Sequence, residues 1–437
     1  MYPAAAMDPL PPGPAGKLLS SLRYLDDPYR YSAHCARRYG DLFTVPLLTG
    51  PVVVTGLPEG AQQVFRAPQE TFGIWAEAQL IPVFGRDSIF VATGESHSRH
   101  RRAIVPALQK VGEMPEIIRR RVEALRAGEE IDAARFALGI SLEVITRTLL
   151  GTEEDEELEA LASRYVHTSG SDPVLLALVF PALQRWPYPP WARFERLRRQ
   201  FFGRLEEKIE RAREAPPEER SAFASMLRML EGASLRDDLV TLLIAGHEST
   251  AHALAWALYC LHRHPESLEA LRVELDTLPP EAGAEDITAL PYLDAVCEET
   301  LRLHPVVVQV TRVLRKPLSL GGYELPKGVS VSPCAHLIHR RPELFPEPER
   351  FRPERFLERR FSPFEHLPFG GGGNRCPGAG FAKAEMKLVL FHLLRRWELA
   401  PTYRGEIPAR VRGLVMVPSR RISMRLLERP AVKFDPR

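Results

Sequence analysis

The spacing of apolar positions changes along the chain, and the changes divide it into parts. Residues 41–55 (DLFTVPLLTGPVVVT) carry β-branched runs on either side of Thr49-Gly50-Pro51, which predicts a hairpin. From about 58 to 310 the spacing is mostly helical, most clearly over Leu197–Ala212, with its Arg/Glu alternation, and Ser234–His264. Residues 213–220 and 276–286 interrupt it as polar loops. After 305 short runs return: Val306–Val310, Leu318–Leu320 and Val329–Val331 read as strands, with turns at Gly321-Gly322 and Lys327-Gly328. Residues 340–375 are rich in Pro and Arg and have no period, Ala379–Trp397 is again an apolar helix, and the tail from 398 has short strand-like pieces. The expected fold is mainly α with a small β portion contributed by both ends of the chain, in the α+β class. One domain is expected over 1–437: a Pro-rich lead-in at 1–20, a mainly helical body at 58–305, and a part at 306–437 that mixes small strands, a glycine loop and a C-terminal helix.

Composition narrows the function classes. Lys and Arg number 58 against 56 Asp and Glu, a net +2, which is no signature of a nucleic-acid binder. The 40 prolines require many sharp stops and argue against a continuous β protein. Cys35, Cys260, Cys297, Cys334 and Cys376 are odd in number and scattered, which fits a reduced, cytoplasmic protein and no disulfide framework. The first residues lack the basic-then-apolar pattern of a secretion signal. The longest apolar segment, Leu239–Leu261, is broken by His247, Glu248 and His252, so it reads as a buried helix with polar business inside it and not as a membrane span.

Four constellations carry candidate chemistry. Phe369-Gly-Gly-Gly-Gly-Asn-Arg-Cys376-Pro-Gly378 places a cysteine after four glycines and before a helix, where backbone N–H groups and the helix dipole favour a thiolate that serves as nucleophile or metal ligand. Glu299 and Arg302 share a helix face at i, i+3, in an apolar setting that ends at His304-Pro305. Arg355, in Phe351–Phe356, is placed to complete a charge network with them. Ala245-Gly-His-Glu248-Ser249-Thr250 puts a glycine, an acid and two hydroxyls in the middle of the apolar helix, a locally unfavourable choice that points to function.

These elements, in this order and spacing, resemble the cytochrome P450 family. Phe369, Gly372, Cys376 and Gly378 match its haem loop, Glu299 and Arg302 its E-x-x-R, Arg355 its downstream arginine, and Ala245, Gly246, Glu248 and Thr250 its distal-helix pattern. The resemblance implies haem b, with Cys376 as the axial iron ligand and a donated electron density that favours O–O cleavage. It implies propionate contacts from His97 and Arg101, which lie at i and i+4 on one helix face, and from Arg312. Phe369, Arg375 and Gly378 complete the expected haem-contacting set, and Glu248, Ser249 and Thr250 the catalytic one. The chain departs from the family twice: Asn374 stands where an Arg or His is usual, beside Arg375, and Ser249 replaces the usual distal threonine. Phe72, Trp75, Phe84, Leu243, Ala245, Val307, Val308 and Val415 are the expected lining of an apolar substrate pocket.

The implied activity is O2-dependent monooxygenation (hydroxylation) of an apolar small molecule such as a fatty acid or terpenoid, by a monomer. Reducing equivalents from NAD(P)H would arrive through a ferredoxin or flavodoxin and its reductase. Arg340, Arg341, Arg359, Arg360 and Arg375 suggest a basic docking face for an acidic partner of this kind. Two alternatives stand beside this reading. A haem-binding electron carrier or gas sensor has no need of the acid–hydroxyl group on the distal helix. A zinc hydrolase is suggested by His247-Glu248-Ser-Thr-Ala-His252, but the second histidine sits at i+5, about 140° around the helix from the first.

Overall fold

The expected hairpin forms from strands Leu42–Leu47 and Gly50–Thr55, in antiparallel register with Leu47 opposite Gly50. The computed structural model describes residues 10–109, 111–151, 155–185, 187–214, 221–279 and 281–429. Positions 1–9 of the lead-in and 215–220 of the first polar loop lie outside them. The second hairpin strand runs parallel to Ser330–Pro333, which pairs with Arg312–Leu314, and that strand pairs with Phe72–Ile74. The resulting five-stranded sheet joins the two ends of the chain, as the sequence pattern suggests. Phe72–Ile74 and Glu130–Asp132 have only three residues each, too few to show an alternating period in the sequence.

Val306–Val310 does not form the expected strand. Gln309 bridges only to Cys334, while the Val306 carbonyl accepts the Met416 N–H at 2.8 Å. The segment divides its backbone bonds between two unrelated partners, so no continuous ladder develops.

The helical body is built around Gly232–Arg263, a 32-residue helix whose buried positions fall on nearly every side. It packs along the helix Ala133–Leu150. Gly246 is part of this contact: a Cβ there would lie 3.0 Å from Ile145 Cγ1. The glycine therefore serves close helix packing. Near the start of the same helix Asp237 and Asp238 are both fully buried. Asp237 accepts the Asp87 N–H at 3.0 Å, and Asp238 accepts the Ile89 N–H at 2.7 Å and meets His100 Nδ1 at 2.5 Å. This pair of acids ties the central helix to the helix Gly94–Leu108 and to the loop before it. Burial pushes both carboxyls up, and hydrogen bonds only partly offset that.

Another buried acid has no such set of partners. Glu385, on the helix Ala379–Arg396, is completely buried; Ser141 donates to one carboxyl oxygen, and the other has no partner. Burial raises it to about 8. The folded protein therefore holds this proton well above the ordinary range of a glutamate, so stability from this group is full at acid pH and is lost as pH rises toward 8. Between about pH 5 and pH 8 the loss is about 3 kcal/mol. Glu385→Gln should flatten that dependence and raise the denaturation midpoint at pH 8. Parallel curves for the two proteins across this range would show that Glu385 does not titrate there.

Candidate active site

The glycine loop folds back onto the helix Pro58–Arg66. Gly370 and Gly372 have φ of +67° and +66°, and a Cβ on Gly372 would sit 2.5 Å from the Phe65 carbonyl oxygen. Only glycine meets both demands. The loop closes with the Cys376 N–H donating to the Phe369 carbonyl at 2.9 Å. Gly378, where the following helix begins, directs its N–H toward the thiol, and its Cβ would stand 3.9 Å from the sulfur. Cys376 is the one exposed cysteine of the five. The protein behind it nevertheless shields it from bulk water. This burial raises its thiol, while Gly378, Arg101 and Arg375 pull it down. The nest and dipole thus do not produce a thiolate unaided, and a bound metal cation would supply the missing stabilisation.

Beside the loop lie two arginines and a buried histidine. His97 is 5% exposed and its Nδ1 has no partner. Burial first, then Arg101, His100 and Arg312, lowers it to about 4. The Arg312 guanidinium is held between the Phe65 and Phe72 rings, 5.2 Å from each centroid. Its Nη2 donates to the Gly371 carbonyl at 3.3 Å, its Nε has no partner, and burial lowers it to about 10. Arg101 donates to the Arg375 carbonyl at 2.5 Å. Among the described residues none of these three has a carboxylate partner: Arg312 is a buried cation, which ordinarily requires one, Arg101 is partly buried, and His97 is a neutral imidazole with an unpartnered ring nitrogen. An anionic group reaching into the space next to Cys376 would satisfy all three, so the residues present fit a haem with its propionates. Arg375 and Asn374 beside it are both exposed.

The central helix shows where the open space lies. Thr241–Leu243 and Thr250–Leu258 are buried, but Ala245 between them is exposed, and Gly246, Glu248 and Ser249 are partly so. Exposure in the middle of a core helix marks a void over that face. Ser249 Oγ donates to the Ala245 carbonyl at 2.9 Å, and Thr250 Oγ1 to the Gly246 carbonyl at 3.3 Å, with the helix unbroken. Thr250 itself is 3% exposed and faces the core. Glu248 is raised by burial, with Arg412 and His167 acting in the opposite direction. His247 and His252 each bond back to carbonyls of their own helix, and among the described residues no group of three His, Cys, Asp or Glu is placed to hold a metal. The zinc-hydrolase geometry is therefore not there.

Several expected pocket residues belong to cores. Leu243 is fully buried, about 200° around the helix from Ala245. Phe84 packs edge-on against Phe90, and Val415 joins the main core. Val308 is buried with Tyr29, Cys35, Val52 and Met416, on the side of the N-terminal hairpin. Phe72 is a seat for Arg312. Ala245, Val307 and Trp75 keep open surface. Of the five arginines expected to face a partner, Arg340 is used internally, bonding Glu349, His336 and the Leu303 carbonyl, and Arg341 pairs with Asp41 and Glu343.

Glu299, Arg302 and Arg355 come together in full burial. Arg302 grips Glu299 through two bonds of 2.6 and 2.9 Å, and Arg355 Nε reaches the same carboxylate at 3.1 Å. The remaining guanidinium donors go to the carbonyls of His339, Pro346, Pro348 and Arg350, and the Arg352 N–H donates to Glu299 at 2.8 Å. His339, which no sequence pattern marks, links this cluster to the loop. Its Nδ1 bonds the Arg302 carbonyl at 3.2 Å and its Nε2 accepts the Leu367 N–H at 2.9 Å, two residues before Phe369.

The model of the family described as Cytochrome P450 matches residues 9–425. The chain belongs to the cytochrome P450 family. It is 33% identical to a protein of Mycobacterium tuberculosis named cytochrome P450 135B1, over 95% of this chain and 91% of the relative. It is also 33% identical to one named cytochrome P450 138 from the same organism, over 95% and 96%. A structure described as retinoic acid-bound cyanobacterial CYP120A1 superposes with a TM-score of 0.83 at 26% identity, covering 96% of this chain and 99% of that one. The haem domain of cytochrome P450DA superposes with a TM-score of 0.83 at 21% identity, covering 97% and 98%, a likeness of fold. As a cytochrome P450 the chain is a haem-thiolate monooxygenase, an oxidoreductase, and no helix among the described residues is long and apolar enough to cross a membrane.

Proposed function

We propose that Cys376 is the axial ligand of haem b, that His97, Arg101 and Arg312 take its propionates, and that the enzyme hydroxylates an apolar small molecule of the fatty-acid or terpenoid kind. The carrying observation is the pair of arginines, Arg101 and Arg312, without a carboxylate and the unpartnered imidazole of His97 beside the one open cysteine. The retinoic acid in the cyanobacterial relative supports a lipid-like substrate. When bound, haem supplies O2 activation, with one oxygen atom going to the substrate and the other to water. Phe369 and Gly378 shape the loop around the sulfur. Glu248 and Ser249 manage protons: burial keeps the Glu248 carboxyl ready to hold one, and the Ser249 hydroxyl, on the same open face, relays it. Thr250 turns its hydroxyl into the core and keeps a packing role. Ala245, Val307 and Trp75 line the substrate space. NAD(P)H reduces the enzyme through a ferredoxin or flavodoxin and its reductase, which dock on the side of Arg359, Arg360 and Arg375, the arginines of the expected face that remain exposed. We place the enzyme in the cytoplasm as a monomer.

The test uses a substrate found by the haem spectral shift in a screen of fatty acids and terpenoids. Ser249→Ala should keep haem and substrate binding while coupling, measured as product per NAD(P)H consumed, falls several-fold and hydrogen peroxide rises. Ser249→Thr should match or exceed the parent. Full coupling in Ser249→Ala would remove Ser249 from the proton path.

A further inference from the structure

The helix Pro189–Glu214 carries seven arginines, and their partners divide them sharply. Arg198 and Arg199 reach Glu195, Arg204 reaches Asp155 and Glu207, Arg211 reaches Asp155, and Arg213 reaches Glu210, all within 4.0 Å. Arg193 and Arg196 have no carboxylate among the described residues. These two line one cleft of about 390 Å³, together with Leu197 and Gln200 of the same helix face. Its other wall is the helix Glu156–Ser169, which contributes Ser163, Arg164, His167 and Thr168, again one face by their spacing. Arg164 also has no acid partner among the described residues. His167 Nδ1 is engaged by the Ser163 carbonyl at 2.7 Å, and its ring stands 6.4 Å from that of His247. Among the described residues no carboxylate lines the cleft.

An exposed arginine ordinarily finds water or a neighbouring acid, and on this helix the supply of acids is ample. The sequence withholds them only along the cleft, where three guanidinium groups, an imidazole, two hydroxyls and an amide converge. Guanidinium forks match phosphate and carboxylate oxygens in geometry as well as charge. The volume is at the lower end of small-molecule sites, roughly 300–1,000 Å³, and exceeds what one monoanion needs.

We propose that this cleft is a binding site for a small multivalent anion, a phosphorylated or polycarboxylated molecule, separate from the haem site. Inorganic pyrophosphate and citrate are the probes, titrated calorimetrically into the haem-loaded enzyme at low salt, with chloride as the monovalent comparison. Saturable binding of at least one probe is expected, with affinity reduced tenfold or more in Arg193→Gln/Arg196→Gln and again by Arg164→Gln. Haem content and the carbon-monoxide spectrum should stay at the parent's level in each variant. Glu207→Gln, outside the cleft, should bind as the parent does. Equal affinity in parent and double variant would overturn the site, as would absence of saturable binding for both probes. Sedimentation with phosphatidylglycerol vesicles that depends on the same arginines, without binding of the free anions, would overturn it in favour of a lipid surface.

Discussion

Cys376→Ala is expected to yield a folded protein whose reduced, carbon-monoxide-treated spectrum lacks the thiolate-specific band and which forms no product. Alanine replacements of Cys35, Cys260, Cys297 and Cys334 should each keep the band. The geometry separates the five cleanly. The other four cysteines are at most 2% exposed, within cores, and burial pushes all their thiols up, Cys297 to about 12 and Cys334 to about 11. Cys376 alone is open, with Gly378, Arg101 and Arg375 placed to favour its ionised form. Loss of the band in a second cysteine variant, or its survival in Cys376→Ala, would break this assignment.

How much of the site the sequence reveals depends on how local the signal is. The glycine loop, the Glu299–Arg302 pair and the acid–hydroxyl group on the central helix are each continuous in the chain, and each is out of keeping with its local surroundings. Arg355 is more than fifty residues from Glu299, yet a charge network needs a third member and the loop offers one. His339, His100 and Asp238 were not legible in this way. Each is a common residue whose role arises from a tertiary contact: His339 with Leu367, His100 with Asp238. The pocket lining failed for a different reason. Apolar composition identifies residues that avoid water, but a core and a substrate cavity both satisfy that demand, and only the direction of the side chain separates Leu243 from Ala245. The strand expected over Val306–Val310 has the right composition, but strand formation requires a single partner along its length, which the sequence does not display.

The charge cluster behind the loop sets the other large effect. Glu299→Ala is expected to give insoluble or haem-free protein, with a loss of about 3–5 kcal/mol. Glu299 accepts from Arg302, Arg355 and the Arg352 backbone, so its removal leaves two guanidinium groups buried without a counter-charge. Such groups cannot easily escape to water, because Arg302 is fully buried and Arg355 is 2% exposed. Their other donors hold the carbonyls of His339, Pro346, Pro348 and Arg350, so the segment that leads to the glycine loop is cross-braced by the same two side chains. Through His339 and the Leu367 N–H the disturbance reaches the loop that carries Cys376. Glu299→Gln keeps the shape and some acceptors but not the charge, so it should be intermediate in soluble yield and haem content. Arg302→Lys should be nearly as damaging as Glu299→Ala, because one ammonium cannot replace five directed bonds. The measurement is soluble yield and haem-to-protein ratio across the three variants. A soluble, fully haem-loaded Glu299→Ala that is merely slower would show that the network acts on catalysis and does not hold up the fold.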